Sequence, residues 1–74
     1  MLTDMEVLVF STSVTSQEEV MLLKPAIDSL AGSGRWNFAL DDCERILRIV
    51  NHHVKPIHAI ELLRSCGFEC RELE

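Results

Sequence analysis

Residues 35–50 read RWNFALDDCERILRIV, and this stretch decides the fold. Trp36, Phe38 and Leu40 alternate with Arg35, Asn37 and Ala39, the period-two pattern of a half-buried strand spanning Arg35 to Leu40. The polar connection Asp41-Asp42-Cys43-Glu44 suits a hairpin. In the return strand, Arg45 to Val50, Leu47 and Ile49 share one face while Ile46, Arg48 and Val50 share the other.

Outward from this hairpin, each side carries one helix and then one strand. Upstream, Gly32-Ser33-Gly34 turns the chain out of a helix predicted over Ser16 to Ala31. Val20, Leu23, Ile27 and Leu30 recur at three- and four-residue spacing and make one apolar stripe. Thr15 and Ser16 can each cap this helix, with Glu18 and Glu19 three residues later, and the acidic pair suits the positive end of the helix dipole. Pro25 removes one backbone hydrogen bond inside the stripe and predicts a kink. Before the helix, Glu6 to Phe10 reads as a strand.

Downstream, Asn51 to Lys55 form a loop and Pro56 opens a second helix, Pro56 to Cys66, with Ala59, Ile60, Leu63 and Cys66 facing the core. Gly67 stops it, and Phe68 to Leu73 form the last strand, with Phe68 and Cys70 pointing one way. Two strand–helix–strand units of this size predict a four-stranded antiparallel sheet with both helices on one face. This is an α+β, ferredoxin-like βαββαβ sandwich, one domain over residues 1–74.

Composition narrows the function classes. A chain of 74 residues buries only about 60% of its unfolded surface. Its 47% hydrophobic content nevertheless suffices for a packed core. The net charge is −5 and no two of the seven basic residues are adjacent, so nucleic acid is not an expected partner. The apolar runs Val7 to Phe10 and Ile46 to Val50 are too short to cross a bilayer. The acidic start Met-Leu-Thr-Asp-Met-Glu lacks the pattern of a signal peptide, which predicts a cytoplasmic chain away from membranes. Three cysteines is an odd number, and in that compartment they are reduced thiols.

The stretch Ser13-Val14-Thr15-Ser16-Gln17-Glu18-Glu19-Val20 adds a resemblance. The heavy-metal-associated domain, found in copper chaperones and metal-pumping ATPases, reads Gly-Met-x-Cys-x-x-Cys before the apolar residue that opens its first helix. With Val20 as that apolar residue, Glu19 and Ser16 stand where the family has cysteines, Val14 where it has methionine and Ser13 where it has glycine. Leu40-Asp41 and Cys66-Gly67-Phe68 also resemble the family's acidic hairpin and the approach to its last strand. The resemblance implies the fold and, with both thiolates missing, removes the family's binding of copper(I) or zinc, because soft metals need thiolate, thioether or imidazole ligands. No metal and no cofactor are expected.

Relocated ligands are the alternative, a metal-trafficking protein using Cys43 and Cys66 or the histidines. The hairpin carrying Cys43 and the turn after Cys66 are predicted at the same end as the first loop. Cys66 and Cys70 read as small buried hydrophobes and Cys43 as exposed. His52 and His53, with His58 five residues on, lie at the opposite end, where His53, His58 and a carboxylate could hold zinc or nickel weakly.

Catalytic residues are not expected. The serines cluster in the first loop and the histidines at the far end, and no Arg or Lys precedes Val20 to hold a phosphate. The central strand Arg45 to Val50 has no aromatic residue to stack an RNA base. The remaining feature is the sheet face away from the helices. Val7, Leu8, Val9 and Phe10 are apolar on both sides, and Ile46 and Val50 add to the uncovered one. The expected function is a non-catalytic interaction module, meeting a protein partner or a second copy through this open face.

Overall fold

The computed structural model describes residues 7–51 and 53–73. Strand β1 (Val7–Thr12) is an inner strand, hydrogen-bonded on each flank. On one flank it pairs antiparallel with β3 (Ile46–Val50), setting Phe10 opposite Leu47 and Val7 opposite Val50. On the other it pairs antiparallel with β4 (Cys70–Glu72), setting Thr12 opposite Cys70 and Ser11 opposite Arg71. Strand β2 (Trp36–Ala39) lies outside β3, with Trp36 opposite Ile49 and Phe38 opposite Leu47. The sheet is four-stranded and antiparallel throughout, in the order β2-β3-β1-β4.

Strand alternation divides this sheet into two faces. Phe10, Leu47 and Ile49 lie on one face and are fully buried. They form a single cluster with Leu23, Ile27 and Ala31 of helix α1 (Gln17–Ala31) and with Ala59 and Leu63 of helix α2 (Pro56–Ser65). Trp36 and Phe38 close the β2 side, their rings edge-to-face with centroids 5.9 Å apart. Val7, Val9, Ile46, Arg48 and Val50 point to the opposite face.

Several boundaries differ from expectation, each for a local reason. β1 runs on to Thr12, because Ser11 pairs with both β3 and β4 and Thr12 with β4, whereas Glu6 lies outside the described residues. β3 begins at Ile46 and not Arg45, whose φ of 51° places it in the left-handed region at the end of the hairpin. Its guanidinium reaches back across that hairpin, Nη1 donating to the Leu40 carbonyl at 2.7 Å. β4 is shorter than Phe68 to Leu73, since the Phe68 N–H is taken by the Leu63 carbonyl of α2 at 2.9 Å. Gly67 permits that return with φ of 92°. α2 therefore ends at Ser65, and Cys66 caps it exposed to solvent, not in the core, while Phe68 packs against the core.

Helix α1 runs unbroken through Pro25. Pro25 and Met21, whose carbonyl has no N–H to accept from at position 25, are both exposed, so the missing bond falls on the solvent side of the helix. At its C-terminal half, Asp28 accepts from Lys24 Nζ at 2.9 Å and from Trp36 Nε1 at 2.8 Å, fastening the helix to β2. These bonds, Lys24 first and Trp36 second, hold the Asp28 carboxyl below its ordinary 3.8. Asn51 Nδ2 donates to the Ala31 carbonyl at 2.7 Å and ties the helix end to the chain leaving β3.

Truncating Phe10 to Ala is expected to cost about 3–5 kcal/mol. That is a large share of the roughly 4–11 kcal/mol available to a domain of this size, so urea unfolding of Phe10→Ala will lose its folded baseline. Val7→Ala, on the open face, is expected to stay within about 0.5 kcal/mol of the parent. The Asp28 carboxyl is depressed on folding, so its contribution is complete above its unfolded value and is lost as pH falls through the lower folded one. Melting temperatures followed down into that acidic range will therefore converge for the parent and Asp28→Asn, with the parent ahead at neutral pH.

Candidate functional site

Three connections meet at one end of the sheet: residues 13–16, the hairpin 40–45 and the turn 66–69. Thr12 joins the first two, its N–H lying 3.1 Å from the Glu44 carbonyl and 3.2 Å from that of Arg45. Its hydroxyl donates to the Arg45 carbonyl at 2.6 Å and accepts from the Val14 N–H at 3.2 Å. Ser13 joins the third, its N–H donating to the Glu69 carbonyl at 3.1 Å while its Oγ accepts from the Glu69 N–H at 2.8 Å. The structure thus brings the hairpin of Cys43 and the turn of Cys66 to the first loop, as the strand pattern implies.

The loop residues singled out by the resemblance are occupied with folding tasks. Val14 is completely buried. Ser16 is the N-cap of α1, its Oγ accepting from the Glu19 N–H at 3.2 Å. Glu19 folds back so that its Oε1 accepts from the Thr15 N–H at 2.8 Å and from the Thr15 hydroxyl at 3.2 Å. Of the two capping options read from the sequence, the helix uses Ser16 as its N-cap: Ser16 closes the Glu19 N–H, while Glu19 reaches back to close that of Thr15.

The thiols divide differently from expectation. Cys43 is exposed as predicted, Cys66 is exposed against prediction, and Cys70 is half-buried and packed against the core. Burial pushes the Cys70 thiol up to about 11, so it stays protonated and unreactive at neutral pH. It borders an open depression of about 280 Å³ together with Arg64 and Glu69. His53 and His58 are exposed at the other end of the sheet, with the His53 N–H donating to Asn51 Oδ1 at 2.7 Å. His52 lies outside the described residues.

Among the described residues, no group of three or more His, Cys, Asp or Glu side chains is placed to hold a metal ion. Within the same residues, no buried side-chain nitrogen or oxygen lacks a hydrogen-bond partner. At the loop end, Thr12, Ser13, Ser16 and Glu19 hold the connections to one another.

The open sheet face has a different character. Val7 is 47% exposed and pairs across strands with half-exposed Val50. Val9 and Ala39 are half-buried, and Ile46, which stands opposite Ser11 of β1 and Ala39 of β2, is 9% exposed. Arg48 rises from the middle, flanked by Val9 on one side and Asn37 on the other. Elsewhere, Met21 and Leu22 on the outer side of α1 are 63% and 76% exposed. Sequence reasoning passed over this pair, although both fall off the Val20, Leu23, Ile27, Leu30 stripe and so must point away from the core.

Compared with protein-family models, curated proteins and solved structures, the chain matches none. Brief alkylation of the native protein near neutral pH, read by peptide mass spectrometry, is expected to label Cys43 and Cys66 and to spare Cys70 until the protein is unfolded.

Proposed function

We propose that the chain is a non-catalytic interaction module whose open sheet face docks a protein partner. The observation that carries this reading is the Val7–Val50 pair, with Val9 and Ala39 beside it, on a face that neither helix covers. Apolar side chains on a flat, accessible sheet are what a partner's apolar side chains can exclude from water.

The sheet order supports a ferredoxin-like topology: read from the β4 edge it is β4-β1-β3-β2, with the two middle strands antiparallel. The likeness to heavy-metal-associated domains draws support from the buried Val14 at the methionine position and from Ser16 at the first helical turn. In this reading the family's ligand positions serve as a helix cap and no metal is carried. Reduced, unpaired Cys43, Cys66 and Cys70 fit a cytoplasmic setting. Among the described residues no helix is long and apolar enough to cross a membrane.

The rival is metal carriage by Cys43 and Cys66, both exposed at the loop end. An amide NMR titration of the fully reduced protein with copper(I) and zinc(II) separates the two. The interaction module is expected to show no saturable shift with either metal. Saturable shifts clustered at 14–20, Cys43 and Gly67 would replace it with a relocated metal site. Installing both thiolates, Ser16→Cys with Glu19→Cys, is expected to create copper(I) binding at this end, and failure to do so would remove the family likeness.

A further inference from the structure

We infer that the occupant of the open sheet face is an acidic amphipathic helix supplied by another protein. This inference rests on the interaction reading above and names the chemistry of the partner.

The chain as a whole is acidic, with twelve Asp and Glu against seven Lys and Arg. Its open face has the opposite sign. By strand alternation, that face carries Arg48 on β3 and Arg71 on β4, and none of the strand residues facing it is Asp or Glu. Both arginines are exposed, and among the described residues neither makes an ion pair. Glu44 is the carboxylate that reaches its margin, held at the loop end by Ser11 Oγ at 3.0 Å. The face is thus an apolar floor of Val7, Val9, Ile46 and Val50 bearing two guanidinium groups that make no ion pair among the described residues. Such groups orient a carboxylate-bearing partner and favour bidentate hydrogen bonds with it.

Charge also argues against the two simplest alternatives. A symmetric dimer through this face would set arginines against arginines, with no carboxylate on the strand residues facing it to separate them. Nucleic acid would need a larger basic track and stacking aromatic rings, whereas Trp36 and Phe38 lie on the helix side. A helix is the form that fits, because the opposite face of the same sheet is already covered by helices lying across it. A third layer of the same kind would bury the valines and bring its flanking carboxylates to Arg48 and Arg71.

The test is an amide NMR titration of the full chain with two synthetic helical peptides. Both share one leucine stripe, flanked by Glu in the first and by Lys in the second. The glutamate peptide is expected to shift the amides of β1 and β3, to bind more weakly as salt is raised, and to lose about tenfold in affinity against Arg48→Glu. The lysine peptide is expected to leave the face unmoved. Equal binding of both would overturn the acidic-partner inference and leave the docking face standing. Shifts confined to the helical layer, or none with either peptide, would overturn both. Sedimentation of the protein alone tests the remaining occupant: self-association, through Met21 and Leu22 beside Glu18 of a second copy, would replace the foreign helix with this chain's own α1.

Discussion

The pairing of β1 with β3 is the contact on which the rest of the molecule depends. It joins residues about forty positions apart and sets Phe10 against Leu47 at the centre of the only buried cluster among the described residues. Each half of the chain folds a helix onto a strand, but neither half owns enough apolar surface to exclude water by itself. Once Phe10 and Leu47 are adjacent, α1 and α2 share one floor, and β2 and β4 add to the flanks. The same pairing also creates the uncovered side, because whatever brings Phe10 and Leu47 inward necessarily turns Val9 and Arg48 outward.

At the loop end the polar side chains serve the fold. Ser16 and Glu19 stand three positions apart along the helix entry, where side chains could converge on an ion. Instead one accepts the other's N–H, and the carboxylate turns back to Thr15. Thr12, with its hydroxyl both donating and accepting, fixes the start of the loop to the hairpin. With Ser13 latched to Glu69, three separate connections form one hydrogen-bonded unit. The flat side of the sheet has a different character, with an apolar floor and two arginines that make no ion pair among the described residues.

The order of elements was legible because periodicity is set by burial, and burial here is one-sided: alternation in Trp36-Asn37-Phe38 and the three-and-four spacing of Leu23, Ile27 and Leu30 leave little choice. What the sequence concealed was local. Cys66 sits at helical spacing from Leu63, so periodicity assigned it to the core, but the αL turn at Gly67 ended the helix early and gave that place to Phe68. Arg45 continued the strand pattern by composition, although a left-handed backbone, which any hairpin of this length needs somewhere, fell on it. The cap was visible as two overlapping options, Thr15 with Glu18 and Ser16 with Glu19, and only the geometry selects Ser16 as the N-cap. The sign of the open face was hidden for a similar reason: Arg48 and Arg71 lie far apart in a chain of negative total charge, and only strand register places them on one surface.

The clasp between α1 and β2 has an optical consequence. Trp36 is the single tryptophan and there is no tyrosine, so absorption and emission in the near ultraviolet come essentially from one indole. That indole is half-buried, stands edge-on to Phe38, and gives its N–H to a carboxylate on the neighbouring helix. Its colour and brightness therefore follow the seam between helix and outer strand, not the molecule as a whole. Light emitted by this chain reports whether one flank of the sheet is shut, and a loosening of that flank ahead of the Phe10–Leu47 centre would be visible without attaching any dye.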